Sequence, residues 1–71
     1  HYDSHGTGPG AGDDAAGVAS LLEVVRALGS DPPPGLRVLV TDGEEQGLLG
    51  AHAAVEGGDV AGPGIVLNVE A

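Results

Sequence analysis

The chain has 71 residues, with eleven Asp and Glu against two Arg and no Lys, so its formal net charge is −9 at pH 7. This charge disfavours nucleic acid and anionic membranes as partners and suits cations. With one Tyr and no Phe, Trp, Met or Cys, the chain lacks the large aromatics and disulfides that stabilise small domains. It shows no signal peptide and no bilayer-spanning run of ~20 apolar residues. We therefore expect a fragment of a larger domain, with membrane association only through segments outside it.

The first half of the chain predicts a loop followed by an amphipathic helix. His1 to Ser4 are expected to leave a strand, and four glycines and a proline place Gly6 to Gly12 in a loop. Asp13 and Asp14 have the positions of an N-cap and a first-turn carboxylate. The apolar residues that follow recur at three- and four-residue spacing: Val18, Leu21, Leu22, Val25 and Leu28. Gly29 ends this predicted helix, and three prolines then form a rigid turn.

The second half predicts a strand, a helix and a second strand. Residues 36–41 are a β-branched run typical of a buried strand, and a helix is predicted from about Gln46 to Glu56. Residues 65–69 have the continuous apolar character of a central parallel strand. With the earlier strand and helix, this order indicates right-handed βαβ units. We expect an α/β fold class, a fragment of a mostly parallel sheet with flanking helices, whose N- and C-terminal parts are missing.

Candidate functional residues lie mainly where the predicted strands end. His1 ends the first strand, Glu44 and Glu45 follow the second, Glu70 ends the third, and Asp13 begins a helix. The carboxyl ends of parallel strands share the edge at which such folds bind ligands, so these five side chains are expected to converge. A divalent cation would relieve the repulsion between the adjacent glutamates, so that one ligates metal and the other activates water.

Each of these residues also has a plain structural interpretation. The glutamate pair could form a solvated acidic turn, the aspartate could cap its helix, and Glu70 could be a strand-end charge that faces water. A lone histidine such as His1 is more often a surface residue than a ligand. Asp3 changes this interpretation, because alternate residues of an extended chain share a face, and a carboxylate there can hold an imidazole in the ligating tautomer.

The remaining polar residues receive weaker assignments. Asp14 is interpreted as a capping residue or as an outer partner of the metal ligands. His5 lies in the glycine-rich loop and His52 lies beyond the carboxylates on the second helix, so both are predicted to be surface histidines. The glycine-rich loop lacks the spacing and the Lys of a phosphate-binding loop, which argues against a nucleotide site.

Four motifs occur in register along the chain: HYDS, PGAGDDAAGVASLLEV, TDGEEQGLLG and LNVEA. They are distributed from His1 to Ala71, and over essentially its whole length the chain closely resembles the co-catalytic zinc aminopeptidases of metallopeptidase family 28. The resemblance implies a zinc-exopeptidase-like αβα sandwich, of which residues 1–71 would be part of the metallopeptidase catalytic domain. It also implies two Zn²⁺ ions per complete domain and a peptide or protein substrate with a free N-terminus.

The same resemblance implies a role for each matching residue. The roles are His1 as ligand of one zinc, Asp13 as the bridging carboxylate, Glu44 as general base, Glu45 as ligand of the second zinc, Glu70 as a further zinc ligand and Asp3 as the partner that orients His1. Many family members have Asp at the position of Glu70. The Glu form resembles a branch with membrane-embedded vacuolar and endoplasmic-reticulum relatives, which implies an extracytoplasmic or membrane-anchored protein.

Some parts of such a site are expected outside this chain. The family's last zinc ligand is a His far downstream, and we expect the substrate-specificity pocket there as well, so the fragment alone is predicted to be inactive. Three alternatives remain open. They are a glutaminyl-cyclase-like enzyme of the same fold with one zinc, a non-catalytic receptor-like relative, and an acidic structural fragment that binds Ca²⁺ or no metal.

Overall fold

The computed structural model describes residues 1–60, 62 and 64–70, and this part of the chain contains two α-helices. Helix α1 spans Ala16–Leu28 and helix α2 spans Leu49–Glu56. A short π-helical turn, Ala11–Ala15, precedes α1, and one turn of 3-10 helix, Glu44–Gln46, precedes α2. Both helices end where the sequence predicts. Each begins three residues later than predicted, and the two late starts have different causes.

Helix α1 begins late because the two aspartates before it do not have helical backbone angles. Asp13 has φ −117° and ψ 89°, and Asp14 has φ −135° and ψ 32°; the peptide bond between them is cis. No side chain caps this turn or the N-terminus of α1 with a hydrogen bond. The predicted capping role of Asp13 is therefore wrong, as is the capping alternative for Asp14, and both carboxylates are available for other contacts.

Helix α2 begins late because Gly47 and Leu48 have left-handed backbone angles, with φ 102° and 60°. They separate the turn Glu44–Gln46 from the helix. The backbone N–H of Gly50 then donates to the carbonyl of Asp42 (2.8 Å), and a Cβ on Gly50 would lie only 2.5 Å from that oxygen. The first turn of α2 thus packs directly on the backbone before the glutamate turn, which fixes where that turn lies.

The predicted α/β fold class is wrong for this structure, because the described residues form helices and no strand. The predicted strands, near His1 and at 36–41 and 65–69, have no regular secondary structure. One backbone hydrogen bond, from the Tyr2 N–H to the Thr41 carbonyl (2.9 Å), joins the first two of them. A β-branched run favours an extended backbone, but a strand exists only when a neighbour completes a ladder of such bonds.

Little apolar surface is buried in the part of the chain that the structure describes. Ala54 on α2 is the buried hydrophobic residue, at 6% exposure, and the most buried polar side chain is Asp14. Ile65 and Leu67 are 92% and 86% exposed. The tightest packing therefore surrounds polar groups near His1. No helix in the described ranges combines the length and the apolar character that crossing a membrane requires.

Candidate metal centre

The His1 imidazole lies at the centre of a group of carboxylates, and its side chain is only 2% exposed. Its Nδ1 is 2.9 Å from the Asp3 carbonyl oxygen and 3.2 Å from Asp3 Oδ1. A proton on Nδ1 satisfies both acceptors and leaves the Nε2 lone pair available to a metal ion. Nε2 lies 3.0 Å from Asp13 Oδ1, 3.4 Å from Glu44 Oε2 and 3.9 Å from Glu70 Oε1.

Asp3 joins the His1 imidazole to the glutamate turn. Its Oδ1 accepts the backbone N–H of Glu44 and its Oδ2 accepts that of Glu45, each at 3.1 Å. Partial burial acts to raise the pKa of Asp3, but these two donors outweigh it and hold the pKa below its ordinary value of 3.8. The side chain therefore stays ionised, and one carboxylate fixes two segments more than forty residues apart.

The described residues include two groups whose ligand atoms could hold a metal ion. One comprises His1, Asp13 and Glu70, the other comprises His1, Glu44 and Glu45, and the atoms within each group lie within 4.8 Å of one another. The structure thus brings together every residue that the sequence selected for the site. We call this set the His1 cluster: His1, Asp3, Asp13, Glu44, Glu45 and Glu70. The predicted division of roles among these residues stays a prediction, and His1 belongs to both groups.

The carboxylates of the His1 cluster repel one another. Burial, followed by the charges of Glu70 and Asp13, raises the pKa of Glu44 above its ordinary 4.5. Burial, followed by Asp13 and Glu44, also raises the pKa of Glu45, and the positive charge of His5 opposes that rise. Within the described residues, Glu45 Oε1 is buried without a hydrogen-bond partner. A cation would offset the repulsion and satisfy this oxygen, so the residues present fit a metal site.

Asp14 and Gly17 lie next to the His1 cluster, near the start of α1. The Asp14 side chain is 1% exposed, and its Oδ2 accepts a hydrogen bond from the His1 backbone nitrogen (2.8 Å). Its Oδ1 is buried without a partner in the described part of the chain. A Cβ on Gly17 would overlap Oδ1 and lie 2.7 Å from the Asp14 Cγ. Gly17 was not selected from the sequence; the available signal was its place inside a predicted helix, where Gly is unfavourable relative to Ala.

The sequence reasoning missed one further contact at the cluster. The Asn68 side-chain amide donates to Glu70 Oε2 (3.3 Å) and so restrains a candidate ligand. Alternation along the chain could have indicated this pair, because residues two apart in an extended segment share a face. His5 and His52 are both exposed, as the sequence predicts. His5 Nδ1 nevertheless has a side-chain contact, 2.8 Å from Thr7 Oγ1.

Vacuolar membrane proteases of several organisms are similar to this chain. That of Ajellomyces capsulatus (strain NAm1 / WU24) is 51% identical over 55 residues, covering 73% of this chain and 6% of the relative. That of Neurospora crassa is 48% identical over 56 residues, covering 75% and 5%. That of Verticillium alfalfae is 40% identical over 73 residues, covering 99% and 7%. This chain therefore spans only a small part of the length of these relatives.

No solved structure matches this chain. The family model described as Peptidase family M28 matches residues 1–71. Peptidases of this family are generally metal-dependent, which agrees with the ligand groups around His1. Because the match covers the whole chain, the chain belongs to peptidase family M28.

Proposed function

We propose that this chain is part of a zinc-dependent aminopeptidase, a hydrolase that cleaves the first peptide bond of a substrate whose amino terminus is free. The proposal depends on one observation: Asp13, Glu44 and Glu70 reach the Nε2 of His1 from three separate segments, at 3.0, 3.4 and 3.9 Å. Such a convergence of like charges favours a cation among them. Membership of a peptidase family supports peptide bonds as the substrate. Because the relatives are much longer, the activity is proposed for the full-length protein.

Four residues are proposed to hold two zinc ions: His1, Asp13, Glu45 and Glu70. An imidazole nitrogen combined with carboxylate oxygens is a donor set that zinc accepts, whereas Ca²⁺ prefers oxygen alone. The unpartnered Glu45 Oε1 supports the assignment, since a buried carboxylate oxygen without a donor is otherwise costly. When bound, zinc supplies Lewis-acid chemistry, which polarises the scissile carbonyl and lowers the pKa of water.

Glu44 is proposed as the general base. It would accept a proton from the attacking water and return that proton to the leaving amine. Its Oε2 lies 3.4 Å from His1 Nε2, beside the residues proposed to hold zinc. Asp3 would take no proton itself. Through its hydrogen bonds to the His1 ring and to the Glu44 backbone, Asp3 would hold the general base and the imidazole in fixed relative positions.

The proposed preference for a free amino terminus rests on the resemblance to the co-catalytic zinc aminopeptidases, which act on such substrates. A peptide or protein with an ammonium terminus is therefore the proposed substrate class, with the scissile bond one residue beyond the ammonium group.

The test is Glu44→Gln in the full-length protein, with zinc content and hydrolysis of aminoacyl-nitroanilides measured on the same samples. We expect two zinc ions per chain to be retained and turnover to fall by ~10²–10⁴-fold, because Gln keeps the shape but cannot accept the proton. Glu56→Gln is the matched control. Glu56 is exposed at the end of α2, so this variant should keep both zinc and turnover.

Other outcomes would contradict the proposal in distinguishable ways. Turnover retained by Glu44→Gln would remove Glu44 from the role of base. One zinc per chain without hydrolysis would favour a glutaminyl-cyclase-like enzyme of the same fold. No zinc and no hydrolysis would favour a non-catalytic relative.

We also infer that the full-length protein is membrane-anchored or extracytoplasmic. The support is the name of the similar proteins, vacuolar membrane proteases. Fractionation of cells tests this inference, and recovery of the protein with soluble cytoplasmic markers would contradict it.

A further inference from the structure

A cleft of about 440 Å³ opens beside the candidate metal centre. It is lined by Asp13 and Glu45 of the His1 cluster, by His5 and by the glycine-rich residues 7–12. A peptide bound near Asp13 and Glu45 would therefore extend along the cleft and over the glycine-rich loop.

The floor of this cleft leaves room for a peptide backbone. An added Cβ on Gly8 or Gly12 would meet no other atom within 4 Å, so the main chain there is open to an approaching ligand. Pro9 and Ala11 add small apolar side chains to the lining. The loop therefore offers an extended chain a shallow surface with few steric obstacles.

His5 is the basic residue among those that line the cleft, and it is held in place. Its Nδ1 lies 2.8 Å from Thr7 Oγ1, which restrains the ring of an otherwise exposed side chain. Within the described residues its Nε2 has no hydrogen-bond partner. Asp13 and Glu45, the charged side chains that also line the cleft, are acceptors when ionised. When the Thr7 hydroxyl donates to Nδ1, the ring proton of neutral His5 lies on Nε2, so His5 can donate to a substrate oxygen.

Building on the proposed aminopeptidase function, we propose that this cleft is a substrate subsite in which His5 Nε2 hydrogen-bonds an oxygen of the bound peptide. The oxygen belongs to a main-chain carbonyl or to the terminal carboxylate of a short peptide. The family resemblance predicts a specificity pocket outside this chain, whereas this subsite lies within it. His5 then contacts substrate directly and contributes to the choice of peptide.

The test measures peptide affinity by calorimetry on the zinc-loaded full-length protein. The probes are a tripeptide analogue with a reduced first peptide bond, which cannot be hydrolysed, and the C-terminal amide of that analogue. We expect His5→Ala to weaken binding by about three- to tenfold, the contribution of one hydrogen bond. A larger loss for the free acid identifies the carboxylate as the acceptor, and equal losses identify a carbonyl.

Two further variants make the result specific. Thr7→Val removes the hydroxyl that restrains His5 and should weaken binding in the same direction by a smaller factor. His52→Ala removes an exposed histidine of α2 that does not line this cleft and should bind as the wild type does. A peptide affinity of His5→Ala within about twofold of wild type is a smaller change than one hydrogen bond contributes, and it would overturn the subsite. A loss for His52→Ala as large as that for His5→Ala would also overturn it.

Hydrolysis of aminoacyl-nitroanilides by the same preparations separates the two proposals. If the wild type hydrolyses these substrates and His5→Ala leaves the peptide affinity unchanged, only the subsite proposal is overturned. Absence of hydrolysis in the wild type, with peptide binding that His5→Ala still weakens, would overturn the aminopeptidase and support the subsite.

Discussion

Burial in this part of the chain follows a different pattern in the His1 cluster than in the apolar segments 36–41 and 65–69. At the centre of the cluster the His1 side chain is only 2% exposed, although Asp13 and Glu70 at its edge are exposed, whereas Ile65 is 92% exposed. Apolar residues ordinarily dominate protein interiors, and ionisable side chains are fully buried only when they are paired. In this part of the chain, directional polar contacts rather than apolar burial therefore position the functional residues.

The physical reason lies in what each kind of contact requires. A hydrogen bond needs one correctly placed partner, and Asp3 finds three: the His1 ring and the backbone N–H groups of Glu44 and Glu45. An apolar strand needs a whole neighbouring surface before its side chains leave water. Few contacts therefore suffice for the cluster, while the apolar segments remain exposed.

The largest effect should come from breaking the contact that holds the cluster together. Asp3→Asn removes the charge that both glutamate N–H groups and the His1 ring share, and we expect zinc affinity to fall by about 10–100-fold, as for other outer partners of metal ligands. Titration against a competing chelator measures this. Asp31→Asn, in the exposed proline turn, is the control. Equal affinity in wild type and Asp3→Asn would show that the ring needs no such partner.

The pH dependence of Asp3 provides a second measurement. Its folded pKa is depressed, so its stabilising contribution is complete above the unfolded value of 3.8 and is lost as pH falls through the folded pKa. The difference in unfolding free energy between wild type and Asp3→Asn, measured by urea unfolding of the zinc-free protein, should thus be constant near neutral pH and shrink below about pH 4. A difference that does not shrink below about pH 4 would contradict the shift.

A smaller effect should follow from crowding the buried carboxylate beneath the cluster. Gly17→Ala adds a Cβ that would overlap Asp14 Oδ1, and we expect it to lower the free energy of unfolding by about 1–3 kcal/mol through overpacking. Helix propensity alone predicts a gain of ~1 kcal/mol, the opposite sign. Urea unfolding distinguishes the two, with Gly12→Ala as the control because nothing lies near its added Cβ. Stabilisation by Gly17→Ala would disprove the close contact.

The smallest effect is expected on the apolar side of the comparison. Leu67 is 86% exposed, so Leu67→Ser should change the free energy of unfolding by less than about 0.5 kcal/mol, as for other surface substitutions. Urea unfolding of the full-length protein measures this change. A loss of several kcal/mol would show that another segment covers residues 65–69, and the contrast between cluster and apolar segments would then disappear.

Sequence patterns predicted the helices better than they predicted the sheet. The recurrence of Val18, Leu21 and Leu28 is local to one segment, so α1 and its end at Gly29 could be read from the chain. The start of α1 could not, because the backbone angles of Asp13 and Asp14 depend on contacts with His1. The sheet prediction failed because strand propensity describes one segment, while strand formation requires a second.

The residue types of the candidate site and membership of the family could be read from the sequence, because motifs and their spacing are properties of the chain order. The acidic charge that makes a cation a favourable partner is likewise a property of composition. The three-dimensional arrangement was needed to see which carboxylates face His1 Nε2, that Asp14 binds the His1 backbone nitrogen, and that His5 borders a cleft. These facts depend on distances between residues far apart in the chain, and such distances follow from packing and hydrogen bonds between segments.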